Sequence, residues 1–433
     1  MFEQHPEYQF KSKQEIAELQ NRRLQQQMQY IKKNSPYYQR VFAENGISFD
    51  DIKTVEDLQR VPVTTKKDLQ LHGKEFFCVP MRQITDIVTT SGTLGDPVTI
   101  GLTKNDLDRL AYNEHLTFSA AGVTQDDIIQ EMVTIDRRFM AGLAYFLGAV
   151  DLGAGIVRVG NGIPELQWDS IKRFNPTVCM VVPSFLMKLI DYAEAHGIDY
   201  HNCSLKKAVC IGESLRNPDF TFTTLSQKIH DRWPELQLFT TYASTEMQTG
   251  FSECEFGCGG HHQPELIVVE FLDDDNKPVP EDKPGEVTIT LLGVEGMPLV
   301  RFKTGDVCYR HTQPCKCGRN TMRLSSILGR KGQMIKYKGT TLFPSSLFDV
   351  LDGIKDVKGY VVEVSTNELG TDDILIHIGT LADCSVSEKE IKDIFRAKVR
   401  VAPTLIFHSP DEIQKMQFPQ MSRKPIKFID KRG

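Results

Sequence analysis

"TTSGTLGDPVTI", residues Thr89 to Ile100, packs hydroxyl side chains and two glycines between two apolar, strand-like runs, "ITDIVTT" and "PVTIGLT". Such a loop can wrap a polyphosphate with backbone N–H groups and hydroxyls, or it can be a polar hairpin turn. It is not a Walker A loop, because it lacks G-K-[ST] and leads into a strand instead of a helix. The stretch alone leaves both readings open.

Working outward, "TKNDLDRLAYNEHLTFSAAG" reads as a helix with Thr103 as N-cap, Asp106 three residues on, and an end near Gly122. "DIIQEMVTI", "AGIVRVG", "PTVCMVV", "KKAVCIG" and "LQLFTTY" are strand-length apolar runs separated by helical stretches such as "SFLMKLIDYAEAHG". That alternation implies a largely parallel sheet covered on both faces. Upstream, "KQEIAELQNRRLQQQMQYIKKN" places Ile16, Leu19, Leu24, Met28 and Ile31 on one face of an amphipathic helix. "SPYYQRVFAENGIS" adds a break and a short helix ending at Gly46.

After Glu246 helices become scarce, and "ELIVVEFLD", "GEVTITLL" and "MPLVRFKTGDVCYR" suggest a smaller β-rich unit. "VKGYVVEV", "DDILIHIG", a helix "SEKEIKDIFRAKVR" with Ile391, Ile394, Phe395 and Val399 on one face, and "PTLIFH" form a compact α+β end. The expected fold class is α/β. Residues 1–330 form a large domain with mixed, largely parallel sheets covered by helices plus a β-rich subdomain, and 331–433 a small α+β domain. The boundary lies in the turn-prone "LGRKGQ".

The 433 residues exceed one compact core, which fits two or three domains. With 51 basic and 57 acidic residues the net charge is −6, which argues against a nucleic-acid partner. "MFEQHPEYQFKSKQ" has no apolar core of a secretory signal, and no apolar run nears the roughly 18 residues that cross a bilayer. A soluble, cytoplasmic protein without a membrane partner is expected.

Three further segments bear on the loop. "TTYASTEM" ends a predicted parallel strand with Tyr242, Ala243, Ser244, Thr245 and Glu246, at the end where open α/β sheets bind ligands. "RFKTGD" puts Asp306 in a turn suited to a ribose diol, and "MSRKPIKFIDKR" carries Lys424 in an otherwise irregular tail. Each alone could be a strand end, a turn aspartate or a solvated cation.

In this order and spacing, however, the chain resembles, nearly end to end, the phenylacetate–CoA ligase family of the adenylate-forming acyl/aryl-CoA ligase superfamily. "NSPYYQRVFAENGI…TVEDLQRVPVTTKKDL" is similar to that family's opening segment, Thr89–Pro97 to its phosphate loop, and "IGESL" around Glu213 to its adenine-side motif. "YASTE", "RFKTGD" and "LGRKGQMIKYKGTTLFP" resemble the next signatures and the hinge.

The resemblance implies ATP-dependent joining of an aryl or arylalkyl acid to AMP, then transfer to coenzyme A. Neutralising charge at the α-phosphate is the main catalytic demand. It further implies Lys424 as the bridging lysine, Glu246 as Mg²⁺ ligand, and Thr90, Ser91, Gly92, Thr93, Gly95 and Thr245 around the phosphates. Asp306 would take the ribose, Glu213 and Tyr242 would flank the adenine, and Arg330-Lys331 would be the pivot of a mobile C-terminal domain. Phe139 and Phe185 fall at the acid pocket, and a homodimer is allowed. Asp136-Arg137-Arg138 stands where the family shows small and aromatic residues, so Arg138 or Arg137 either reads a polar group on the acid or pairs with local carboxylates and solvent. Two further positions depart from the family: Asp96 stands where its loop carries lysine, and Lys331 where its hinge often has aspartate.

Six of the ten cysteines are scattered. "ECEFGCGGHH" and "QPCKCGRN" cluster the other four, Cys254, Cys258, Cys315 and Cys317, with His261, in a knuckle region of about 252–320 that suits a structural Zn²⁺. Five candidates compete for four places. The resemblance favours Cys254, His261, Cys315 and Cys317, with Cys258 in reserve. Two rival readings remain: loading of a carrier-protein phosphopantetheine instead of free CoA, and a non-enzymatic zinc-binding interaction protein.

Overall fold

The computed structural model describes residues 4–90, 97–337, 340–367, 371–381, 386–419 and 425–432. Two compact units emerge. The larger comprises Met1–Thr221, Ile229–Thr304 and Cys308–Ser326, and the smaller Phe222–Lys228, Gly305–Val307 and Ile327–Gly433.

In the larger unit, the N-terminal helix Lys13–Asn34 starts at a Ser12–Glu15 capping box and buries Ile16, Leu19, Leu24, Met28 and Ile31, the face its spacing predicts. Parallel strands follow in the spatial order Gly155–Arg158, Ile128–Glu131, Val178–Val181, Lys207–Cys210 and Gln237–Ser244. Alternation along one strand covers both faces. Ile129 packs with Phe118 and Tyr145 of the helices Lys104–Ala120 and Met140–Leu152. Its neighbour Gln130 instead donates to Gln167 Oε1 (2.8 Å) of the helix Pro164–Phe174.

The sheet does not stop at its parallel part. Gln237–Ser244 turns back antiparallel into Thr249–Ser252, and three short strands, Gly260–His261, Arg323–Leu324 and Arg310–His311, complete nine. The stretch after Glu246 is the expected β-rich part of the large domain, and it also extends the main sheet. The strands Ile267–Leu272 and Gly285–Leu291 pair antiparallel in a second sheet.

The smaller unit is a four-stranded sheet in the order Thr404–His408, Asp372–Thr380, Val357–Thr366 and Phe428–Asp430. Its central pair is antiparallel and its outer pairs parallel. Ile391 and Phe395 of the helix Glu388–Val399 fill its core with Val362, Ile376 and Leu405. The tail read as irregular contains the edge strand Phe428–Asp430, paired with Val362–Val364, and a helix, Pro410–Gln417, precedes it. Three residues are too few to show a period in sequence.

Close helix contact in the larger unit depends on one glycine. A Cβ at Gly148 would stand 2.9 Å from the Glu114 carbonyl carbon and 3.0 Å from the His115 nitrogen of the facing helix. Alanine normally favours a helix interior over glycine. At this position the sign should reverse, with Gly148→Ala destabilising the protein by about 1–3 kcal/mol in urea unfolding.

Candidate active site

The loop that follows Asp86–Thr89 is closed at its base by Thr90. Its backbone N–H donates to Val98 O (3.0 Å), and its Oγ1 accepts from Val98 N (2.9 Å). The strands Asp86–Thr89 and Thr99–Leu102 run antiparallel on either side. Ser91, Gly92, Thr93, Gly95 and Asp96 of the loop lie outside the described residues, as does Lys424. Thr89 N donates to Arg138 O (3.1 Å), which ties the loop's first strand to the Asp136-Arg137-Arg138 segment.

That segment is unusual. Arg137 and Arg138 have φ of 58° and 60°, a left-handed pair that costs energy in non-glycine residues. Both side chains are exposed, and the Arg137 guanidinium stands 3.8 Å from Asp136. Phe139 follows, half-buried, as N-cap of Met140–Leu152. Phe185, also half-buried, lies in the first turn of Pro183–Ala195. Glu213 Oε2 accepts the Ser184 N–H (2.8 Å) of that same turn, so a carboxylate satisfies an orphan donor at the positive end of a helix.

The strand Gln237–Ser244 carries Tyr242 and Ala243 to its C-terminal end, where Ser244 pairs with Thr249. Tyr242 stacks on Phe251 with ring centroids 5.9 Å apart. The connecting residues 245–248 hold Thr245 and a nearly buried Glu246. Lys66 Nζ lies 3.8 Å from Glu246 Oε1. Sequence reasoning missed Lys66. The available signal was the Thr65 cap of the helix Lys66–His72, which fixes Lys66 as its first residue. In the smaller unit, Asp306 is buried and pairs across strands with Arg330, whose Nε donates to its Oδ1 at 3.2 Å.

The AMP-binding enzyme family matches residues 18–294. A phenylacetate-coenzyme A ligase of Thermus thermophilus is 31% identical over 357 residues, covering 81% of this chain and 78% of the relative. One of Escherichia coli is 31% identical over 344 residues, covering 77% and 75%. The chain belongs to the phenylacetate-coenzyme A ligase family of AMP-binding enzymes. It is an AMP-forming acid–coenzyme A ligase, which activates a carboxylic acid with ATP and then forms the thioester. The fold of the ligase is also that of a 2-hydroxyisobutyryl-CoA ligase in its postadenylation state (TM-score 0.84, 21% identity, 98% of this chain and 91% of that one). An anthranilate CoA ligase shares it at TM-score 0.59 and 17% identity, over 79% of this chain and 66% of the other.

Away from the nucleotide motifs, the ligase gathers Cys254, His261, Cys315 and Cys317, whose ligand atoms all lie within 4.8 Å of one another. Cys254 Sγ is 3.7 Å from Cys315 Sγ, and Cys317 Sγ is 3.5 Å from His261 Nε2. His261 Nδ1 faces Thr321 Oγ1 at 3.2 Å, which leaves Nε2 directed at the thiols. Burial, with Arg319 and Arg323 nearby, pulls the His261 imidazole down to about 3, so it stays neutral. Cys258 Sγ approaches Cys315 Sγ to 3.6 Å but is not one of the four.

Two carboxyls in the core of the ligase are held above their ordinary range. Burial raises Glu114 to about 7, against hydrogen bonds from Thr117 and Asn113, and raises Glu131 to about 8, against the charge of Arg158. Among the described residues, neither oxygen of Glu131 has a hydrogen-bond partner. A folded-state pKa above the unfolded value gives stability that is complete below the unfolded value and is lost as pH rises through the folded one. Stability should therefore fall between about pH 5 and pH 8. Glu131→Gln should flatten that fall, raising the urea midpoint at pH 8 relative to the parent more than at pH 5. An unchanged slope would contradict the burial argument.

Proposed function

We propose that the enzyme activates an aryl or arylalkyl acid of the phenylacetate type. The observation that supports this reading is the grouping of Tyr242, Thr245 and Glu246 at the C-terminal end of Gln237–Ser244, the end at which open α/β sheets bind ligands, with Lys66 facing Glu246. The relatives named for phenylacetate supply the substrate class. Phe139 and Phe185, half-buried at the starts of helices that follow neighbouring parallel strands, offer aromatic walls for a ring.

In this reading the acid's carboxylate attacks the α-phosphorus of ATP and the bond to pyrophosphate breaks. The CoA thiol then attacks the acyl carbon and AMP departs. Mg²⁺, when bound, neutralises phosphate charge, and the nearly buried Glu246 carboxylate suits a hard cation. Lys66 takes the place of the cation that Asp96 removes from the phosphate loop, since its ammonium already faces Glu246. Thr90, with Ser91 to Gly95, wraps the phosphates. Glu213 and Tyr242 flank the adenine, and Asp306 takes the ribose hydroxyls. The C-terminal domain is mobile, pivots near Arg330, and delivers Lys424 to the α-phosphate.

The test is pyrophosphate release over a panel of carboxylic acids, with and without CoA. Release should depend on an aryl or arylalkyl acid, and thioester should appear only with CoA. Lys424→Ala should slow adenylation by about 3 kcal/mol or more, while thioester formation from a supplied acyl adenylate survives. Near-parental pyrophosphate release by that variant would overturn the assignment of the lysine.

A structural Zn²⁺ on Cys254, His261, Cys315 and Cys317 is the second part of the proposal. Tetrahedral zinc places paired thiolates about 3.8 Å apart and a thiolate and imidazole nitrogen about 3.5 Å apart. The observed 3.7 and 3.5 Å fit those values. Four protein ligands close the site, so its role is to hold two knuckles together. Elemental analysis of protein never exposed to chelator should find about one zinc per chain. Cys315→Ser should lower the thermal midpoint more than the turnover of the folded fraction.

A further inference from the structure

The turn that carries Glu246 is gripped from beneath by a guanidinium that the family motifs do not include. Arg109 lies on the helix Lys104–Ala120 and is fully buried. Its Nη1 donates to Gln248 O (2.7 Å), Nη2 to Thr249 Oγ1 (2.9 Å) and Leu266 O (2.6 Å), and Nε to Leu292 O (2.8 Å). No carboxylate forms an ion pair with it among the described residues. Burial pulls it down only to about 10, with Asp106 and Glu265 opposing, so it remains charged near neutrality.

The carbonyl it holds belongs to a residue that would otherwise relax. Gln248 has φ of 47°, and its N–H reaches Ser244 O at 3.3 Å to close the turn 245–248. One helical turn beyond Arg109, Asn113 Oδ1 accepts Gly250 N (3.0 Å), which fixes the next residue but one. A side chain needed only for packing would be apolar, because a buried charge without a carboxylate is costly. Planar, charge-assisted hydrogen bonds to three carbonyls and a hydroxyl instead set position and angle.

We infer that Arg109 is a positioning residue for the adenylation step: by pinning Gln248 and Thr249 it aims the Glu246 carboxylate. The inference rests on the reading of Glu246 as the Mg²⁺ ligand. Loosening the turn would then weaken Mg²⁺ use during adenylation and leave thioester formation nearly intact.

The full-length protein carrying Arg109→Lys, and separately Thr249→Val, is assayed for acid-dependent ATP–pyrophosphate exchange across a Mg²⁺ titration. Thioester formation from supplied acyl adenylate and CoA is measured in parallel. The Mg²⁺ concentration for half-maximal exchange should rise about tenfold in Arg109→Lys and about threefold in Thr249→Val, which keeps the charge and loses one acceptor. Thioester formation should stay within about twofold of the parent. Glu246→Gln separates the two layers. If it leaves the Mg²⁺ requirement unchanged, the role of Glu246 is wrong and the inference falls with it. If it raises the requirement while both other variants leave it unchanged, the role of Arg109 alone is overturned. Equal loss of both half-reactions in Arg109→Lys overturns it too, as general loosening would give that result. Should Arg109→Lys fail to fold, Thr249→Val decides.

Discussion

The larger unit depends on a buried polar seam along one face of the helix Lys104–Ala120. Asp106 accepts Glu295 N and Gly296 N, both at 2.8 Å. Arg109 donates to Gln248, Thr249, Leu266 and Leu292. Asn113 accepts Gly250 N, and Thr117 Oγ1 accepts Ser252 Oγ at 2.9 Å. Residues 106, 109, 113 and 117 follow the three-to-four spacing of a single helix face. Buried polar groups of this kind are stable only when each finds its partner, so the helix and the chain from 248 to 296 must dock in one register.

That seam ties the β-rich stretch after Glu246 to the rest of the larger unit. Its hairpin, Leu266 just before the second sheet and the 292–296 segment each send backbone groups to the same helix, whose other face packs on the parallel strands through Phe118. The main sheet changes from parallel to antiparallel at Gln237–Ser244, and the turn with Thr245 and Glu246 sits at that change. A parallel strand must be followed by a long crossover, whereas a hairpin needs only a short turn. Thr245 and Glu246 therefore sit in a tight hairpin turn, braced by neighbouring strands and the helix.

The features legible in the sequence were those with a local signature. Ser12–Glu15 and Thr103–Asp106 form capping boxes at the helix starts. Ile16 to Ile31 lie on one face, and the apolar runs from Ile128 to Tyr242 form parallel strands. The knuckle cysteines meet because short strands pair His261 with Ser252 and Arg323. Arg109, Asn113 and Thr117 were illegible, as were the distant partners of the capping residue Asp106, since a charged and amide stripe at helical spacing reads as a solvent face. Their burial depends on partners more than 130 residues away. The small segments Phe222–Lys228 and Gly305–Val307 join the smaller unit through tertiary pairing, such as Thr224 N to Asp349 Oδ1 at 2.9 Å, which no composition shift announces. Lys66 was hidden for the same reason: its carboxylate partner, Glu246, lies 180 residues on.

The cysteine cluster lies close to the strand that carries Tyr242, and Glu253 links the two. Glu253, directly before Cys254, is buried and accepts Arg216 Nε at 3.0 Å and Thr240 N at 3.2 Å. Thr240 lies two residues before Tyr242, and Arg216 three after Glu213. Gly257, inside the knuckle at φ of 56°, leaves room for the Arg216 guanidinium, which a Cβ there would strike. A buried ion pair adds little net stability but fixes geometry, because breaking either half strands the other charge. Glu253 therefore restrains the strand and the loop that carry Tyr242 and Glu213.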